Sequence, residues 1–95
     1  MFGQKKSSPL PLTSGRFEIE RDAKVAYLEY TLANGILGLA HTEVPQELRG
    51  HGLAAKLAHE GLEYARAHNL KVDVICPFVA AYLHEHPEYS DLVLK

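Results

Sequence analysis

The sequence contains little of what marks a disulfide-bonded, metal-bound, membrane-bound or nucleic-acid-binding protein. Its single cysteine, Cys76, excludes an internal disulfide and a cysteine-based zinc site. No stretch approaches the roughly 18 apolar residues that a bilayer span requires, and the opening MFGQKK lacks the apolar core of a secretory signal. The formal net charge of -2 gives no overall attraction to phosphate backbones or anionic lipid. We therefore expect a cytoplasmic protein that holds no metal and binds neither nucleic acid nor membranes.

What is present fits one compact α/β domain. The 95 residues, 46% of them hydrophobic and 23% charged, are too few for two independent cores. Residues 1–15 are rich in Lys, Ser, Pro and Gly, a mixture that cannot bury enough surface to offset its ordering entropy. These residues are predicted to form a flexible N-terminal tail, and the folded domain is expected to span residues 16–95.

The first half of the domain has the pattern of β-structure. Alternation of apolar and charged residues over 16–20 predicts a half-buried strand, and a short connection leads into a second run over 25–32 that is rich in β-formers. Asn34 and Gly35 are a turn signal, and the apolar opening of the next run, 36–44, suggests an interior strand. We expect an antiparallel hairpin followed by a central strand.

The second half combines helices with short strands. Apolar residues recur at helical spacing from Leu53 to Ala65, with charged residues on the opposite side, which predicts an amphipathic helix. A β-branched strand over 71–76 follows, so strand, helix and strand form a βαβ unit with parallel neighbours. A second helix is predicted from Pro77 to about His86, and a short edge strand over 92–94.

The loop between the central strand and the long helix is the most informative segment. Gly50 and Gly52 can adopt dihedral angles that let a ligand approach the backbone, and the free N–H groups of the helix's first turn point the same way. This combination suits a phosphate, with Arg49, His51 and Lys56 as further donors. Alternatively, the glycines only permit a tight turn. Since no Lys-Ser/Thr follows the glycines, and only one βαβ unit is present, ATP and NAD are poor candidates.

These residues resemble motif A of the GNAT acetyltransferase superfamily, whose Q/R-x-x-G-x-G/A loop holds the pyrophosphate of acetyl-CoA. Gly50 and Gly52 match the glycines, whereas the first position of the motif is Glu47. Further blocks resemble a short, single-domain branch of the superfamily. They are Tyr30, HTEVP at 41–45, RGHGLA at 49–54, Leu57 with Tyr64-Ala65-Arg66, CPFV at 76–79 and HPEYSDLV at 86–93.

The resemblance implies a minimal GNAT-like fold of the α/β (α+β) class. Its mixed sheet would have splayed central parallel strands, with pantetheine lying in the gap and bonding to backbone groups. The first two GNAT helices would be lacking, because only Asp22 to Lys24 join the first two strands. Acetyl-CoA or another acyl-CoA is the implied cosubstrate. The implied cofactor-binding residues are Thr42, Glu43, Val44, Leu48, Arg49, Gly50, His51, Gly52, Leu53, Ala54 and Lys56.

The resemblance also directs attention to two catalytic candidates. Cys76 lies at the mouth of the implied splay, before a helix N-terminus that could lower its pKa, so it is either an acetyl-accepting nucleophile or a small buried hydrophobic residue. His41 is either a general base for the acceptor or a structural histidine. Tyr82 follows Cys76 in a register that differs from the family's catalytic tyrosine and favours core packing. A zinc site at His84 and His86 is not expected, because the two side chains would point to different helix faces.

Three functions remain open on the sequence. The first is an acetyl-CoA-dependent N-acetyltransferase acting on an unidentified amine, and the second is a CoA- or acyl-CoA-binding sensor or adaptor. The third is an interaction domain whose glycines serve only the turn. The missing pair of helices predicts a shallow acceptor side that suits a protein or peptide amine, or a homodimer in which a second subunit completes the pocket.

Overall fold

The computed structural model describes residues 13–94, so residues 1–12 of the predicted tail, and residue 95, lie outside it. The last three residues assigned to the tail, 13–15, belong to the first strand. The elements in chain order are β1 (Thr13–Arg21), β2 (Lys24–Ala33), β3 (Ile36–Glu43), a 3₁₀ turn (Gln46–Leu48), α1 (Leu53–Ala67), β4 (Lys71–Val74), α2 (Pro77–Glu85) and a 3₁₀ segment (Pro87–Leu92).

The described strands form one mixed sheet in the order β1-β2-β3-β4. Antiparallel pairing joins β1 to β2 and β2 to β3, and parallel pairing joins β3 to β4 across α1. Asp22 and Ala23 connect the first hairpin, and Asn34 and Gly35 connect the second, all four with positive φ. This backbone matches the right-handed twist of the paired strands. The two-residue link between β1 and β2 confirms that the first two helices of a full-length GNAT fold are lacking.

Helix α1 covers one face of the sheet, and the hydrophobic core lies between them. Its apolar side is buried at Leu57 and Leu62, both fully enclosed. At Gly61, an added Cβ would lie only 3.3 Å from side-chain atoms of Leu28 and Leu39, so the glycine lets the helix approach the sheet closely. The opposite face presents exposed charged side chains from alternate strand positions, as the period of two in the sequence predicts.

A β-bulge in β3 decides which side chains face the helix layer. Tyr30 of β2 pairs with Leu39 and the preceding residue, Glu29, pairs with His41, which leaves Ala40 as an extra residue in β3. Beyond the bulge, Thr42 pairs with the buried Leu28 and therefore lies on the helix side of the sheet. His41 lies on the opposite face.

The two parallel strands separate after four residue pairs. Their pairing runs from Ile36 opposite Lys71 to Leu39 opposite Val74. The amides of Ile75 and Cys76 then both donate to the Leu39 carbonyl oxygen, at 3.1 and 2.8 Å, so the ladder cannot continue. Strand β3 extends to Glu43 without a partner from β4, which confirms the predicted splay. Strand β4 ends at Val74 and is shorter than the predicted 71–76.

The C-terminal segment is fastened to α1 by polar contacts. Tyr89 is 4% exposed, and its hydroxyl donates to the Glu63 carboxylate while His59 Nδ1 donates to the hydroxyl oxygen at 3.1 Å. Burial, and then the hydrogen bond to Glu63, raise the pKa of Tyr89 to about 12. Arg66 forms two hydrogen bonds with the Asp91 carboxylate. The edge strand predicted over 92–94 is instead a single bridge of Val93 to Val72 after the 3₁₀ segment.

Candidate functional site: a cleft where the parallel strands separate

A cleft of about 420 Å³ opens where β3 continues beyond its pairing with β4. Its walls come from the end of β3, from the loop that follows, from the first turn of α1 and from the start of α2. The lining residues are Thr42, Glu43, Val44, Leu48, Arg49, Gly50, Gly52, Leu53, Ala54, Ala55 and Phe78. The structure therefore brings together nine of the eleven cofactor-binding residues predicted from the sequence.

The glycine loop forms the end wall of this cleft. Gly50 and Gly52 have φ of 86° and 73°, values that residues with a side chain rarely adopt. A Cβ added at either position would meet no protein atom within 4 Å, so both glycines border open space. Gly52 caps α1 without a side-chain hydrogen bond, and the first turn of the helix contains no acidic residue. Its exposed N–H groups and the positive end of the helix dipole form a cradle that fits a phosphate group.

Arg49 provides the side-chain charge at the cleft. Its Nε donates to the carbonyl oxygen of Val44 at 3.0 Å, which ties the loop to the end of β3. Arg49 also lines the cleft, so its guanidinium places a positive charge at the cleft wall. A bound anion would therefore meet an arginine as well as backbone amides.

Three polar side chains of the loop and helix lie away from the cleft. His51 borders a separate hollow with Arg21 and Glu47, and Lys56 borders another beside Phe17. Neither His51 nor Lys56 therefore lines the cleft. Glu47 forms an ion pair with Lys24 at 3.6 Å, and its own backbone amide and the Lys24 charge lower its pKa.

The two catalytic candidates lie in different environments. Cys76 is 3% exposed, belongs to the core and does not line the cleft, although its Sγ is 3.2 Å from Thr42 Oγ1, which does. His41 has a side chain that is 55% exposed, and its Nε2 lies 3.2 Å from the carboxylate of Glu43. Because the bulge separates their faces, the structure does not bring Cys76 and His41 together.

Comparison with known proteins identifies this architecture. A family model described as GCN5-related N-acetyl-transferase matches residues 16–92. The chain belongs to this family. The resemblance inferred from the sequence is confirmed.

Similar proteins are found among both sequences and structures. The chain is 36% identical to protein NATD1 of Homo sapiens over 66 residues, which cover 70% of this chain and 58% of that protein. It is 30% identical to protein NATD1 of Danio rerio over 81 residues, covering 83% and 73%. The match thus spans less than two thirds of the human relative's length. The NMR solution structure of a GCN5-like protein from Staphylococcus aureus, 28% identical, superposes with a TM-score of 0.63 over 93% of this chain and 91% of that one.

Two cleft residues of this GCN5-related chain are not among those predicted from the sequence. Ala55 follows the predicted set on α1, and Phe78 reaches the cleft from α2. Phe78 is 41% exposed, although it is a large aromatic residue. Pro77 could have indicated its position, because a proline at a helix start places Phe78 in the first turn, next to the end of β4.

The remaining candidates of α2 lie outside the cleft. Tyr82 stacks on His86 with ring centroids 4.0 Å apart and packs against the core, and burial raises the pKa of its hydroxyl. Within residues 13–94 the structure contains no group of three side chains that could hold a metal ion. Over the same residues, no helix is long and apolar enough to cross a membrane.

Proposed function

We propose that this GCN5-related chain is an acetyl-CoA-dependent N-acetyltransferase that acts on an amine acceptor. The observation that supports the proposal most directly is the cleft itself. It opens where the parallel strands separate, and it ends at a glycine loop above the N-terminus of α1. A ligand that carries a pyrophosphate next to an amide-containing arm would find complementary groups for both parts.

Each part of the cleft has a role in binding. The amides of residues 52–55, with the Arg49 guanidinium, would hold the pyrophosphate. The unpaired backbone edge of Ala40 to Glu43 would bond the pantetheine amides, as an added strand does. Leu48, Leu53 and Phe78 would exclude water from its apolar atoms. When bound, acetyl-CoA supplies an activated acyl group as a thioester.

We assign proton transfer to His41, which lies on the sheet face opposite the cleft, so the acceptor amine would reach the acyl group from that face, through the gap between β3 and β4. If its Nε2–H donates to Glu43, Nδ1 keeps a lone pair that accepts a proton from an acceptor ammonium. Glu43 fixes this tautomer and stabilises the imidazolium that results. The neighbouring backbone amides beyond the bulge would polarise the acyl carbonyl oxygen.

We propose direct transfer from the thioester to the amine, without an acyl-cysteine. Cys76 is 3% exposed and does not line the cleft, so its thiol is poorly placed to attack a ligand that is bound there. In this proposal Cys76 is a core residue that packs at the junction between β4 and α2.

The acceptor is proposed to be an amine on a protein or peptide. The acceptor side lacks the pair of helices that would wall it, since two residues join β1 and β2. An extended polypeptide can supply the contacts that a shallow surface cannot provide to a small molecule.

The second candidate is a CoA-binding sensor or adaptor. The 55% exposure of the His41 side chain favours it, because an active site usually excludes water from the reacting groups. Both candidates predict that acetyl-CoA raises the melting temperature of the protein. Only the enzyme predicts CoA release that accelerates when an amine is added.

The deciding experiment measures both properties on one preparation of the full chain. Thermal melts with and without acetyl-CoA test binding, and a thiol-release assay with polyamines and lysine-containing peptides tests transfer. His41→Asn is the matched control, which should keep the thermal shift and lose the amine-dependent release. A thermal shift without release from any acceptor would favour the binding module, and no shift at all would contradict both candidates.

A further inference from the structure

The outer edge of β1 is long, regular and unpaired within residues 13–94. Strand β1 has nine residues and forms a continuous register with β2 on its inner side, with no bulge and no proline. Such an edge presents a row of backbone donors and acceptors that can pair with another chain. Natural edge strands are usually shortened, bulged or charged in a way that repels a second copy.

The charges on this edge are instead ordered so that they complement a second copy. In an antiparallel pairing of β1 with itself, centred on Phe17, all nine residues of each strand find a partner. Arg16 of each chain then lies opposite Glu18 of the other, next to the ion pair that these residues form within one chain at 3.2 Å. The result is a square of alternating charges on the exposed face.

This register pairs all nine residues and keeps like charges out of direct opposition, whereas the two neighbouring two-fold registers do not. A shift by two residues in one direction places Arg16 opposite the Arg16 of the second copy. The opposite shift places Glu18 opposite a second Glu18. Since like charges that face each other across strands are destabilising, the sequence selects one alignment.

The helix side of the edge supports the same alignment. Phe17 is half-buried against Tyr30 and Tyr64, with ring centroids at 5.0 and 5.5 Å. At the two-fold axis it would meet the Phe17 of the second copy, which extends the aromatic cluster. Ile19 would lie over Gly15, where an added Cβ would clash with the Tyr30 ring at 2.9 Å, so the smallest residue faces a large one.

We propose that the full chain forms a two-fold symmetric homodimer through antiparallel β1 pairing, which joins two four-stranded sheets into one. The contact is isologous, so it closes and does not propagate into a filament. Strands β2 and β3 separate this edge from the cleft. The dimer therefore leaves both clefts open and is independent of the proposed acetyl transfer.

Sedimentation equilibrium of the full chain over a range of concentrations tests the proposal with a charge swap. Arg16→Glu and Glu18→Arg each replace two attractive pairs by two repulsive ones, and each should raise the dimer Kd by about tenfold or more. The double variant Arg16→Glu/Glu18→Arg restores opposite charges and should return the Kd to within about threefold of the original. Glu85→Arg, at the exposed end of α2, makes the same charge change as Glu18→Arg but away from the edge, and it should leave the Kd unchanged.

Hydrogen exchange distinguishes this dimer from a monomer in which another segment of the same chain covers the β1 edge. The measurement uses the unsubstituted protein, so it does not depend on whether a variant folds. Amides of β1 should gain protection as the protein concentration crosses the dimer Kd. A monomer at all concentrations would overturn the proposal, as would β1 protection that does not change with concentration. A dimer that is insensitive to both single reversals, or that the double variant fails to restore, would overturn it as well.

Discussion

Replacing Gly52 by alanine should remove acetyl-CoA binding and lower the stability of the folded protein by a modest amount. At φ of 73°, an L-residue costs about 1–2 kcal/mol relative to its favoured conformations. A domain of this length loses about 4 °C of melting temperature per kcal/mol, so the free variant should melt about 4–8 °C lower. The added Cβ projects into space that no protein atom occupies within 4 Å, which is where we place the pyrophosphate.

Gly35→Ala is the matched control for this substitution. Gly35 has φ of 77°, a Cβ there would also meet nothing within 4 Å, and the residue lies in the β2–β3 turn and does not line the cleft. It should suffer a similar loss of stability without any effect on the ligand. In the original protein, acetyl-CoA at about 100 times its Kd adds about 2.7 kcal/mol, equivalent to about 11 °C.

The assay is a pair of thermal melts for each variant, with and without acetyl-CoA. Gly35→Ala should keep the full ligand-induced increase, and Gly52→Ala should lose most of it. If acetyl-CoA stabilised the two variants equally, the amides at the start of α1 would not hold the phosphates, and the glycine loop would not be the phosphate site.

Three further predictions concern single side chains. His41→Asn should lower kcat for an amine acceptor by about 100-fold near neutral pH, and a change under about threefold would exclude His41 as the base. Cys76→Ala should keep kcat within about threefold while lowering thermal stability, whereas loss of turnover in a folded variant would restore the covalent route. The pKa of Tyr89 is about 12 in the folded protein, against an ordinary value of about 10. The neutral hydroxyl therefore contributes fully to the free energy of unfolding below pH 10, and this contribution should fall by about 1–3 kcal/mol as the pH rises from 10 to 12. Denaturant melts of Tyr89→Phe should lack this fall, and an identical fall would contradict the assignment.

The sequence predicted those parts of the fold that local chemistry decides. Asn34 and Gly35 indicated the second hairpin because few other residues adopt positive φ at two consecutive positions. The helical spacing from Leu53 to Ala65 predicted α1, whose observed end lies at Ala67. The separation of the parallel strands was expected only through the family resemblance, since no local pattern encodes it.

Features that depend on tertiary contacts were missed. The bulge at Ala40 has no local signal, yet it decides that Thr42 faces the cleft and His41 the opposite side. Strand β4 ends where the amides of Ile75 and Cys76 both bond to the Leu39 carbonyl oxygen. The C-terminal segment is held by the bridge between Val93 and Val72. Both contacts join residues that are far apart in the sequence. His51 and Lys56 are near the glycines in sequence, but in the structure they border hollows other than the cleft.

The division of the sheet into a meander and a parallel pair has a kinetic consequence. Strands β1 to β3 are adjacent in sequence and close through two-residue turns, so their pairing involves small loops, whereas β4 reaches β3 only after the whole of α1. Long-range parallel pairing is slow to form and follows local hairpins. The ligand cradle should thus be completed late on the folding pathway. Substitutions in residues 45–52 should accelerate unfolding more than they slow refolding, and a bound ligand should chiefly lower the unfolding rate.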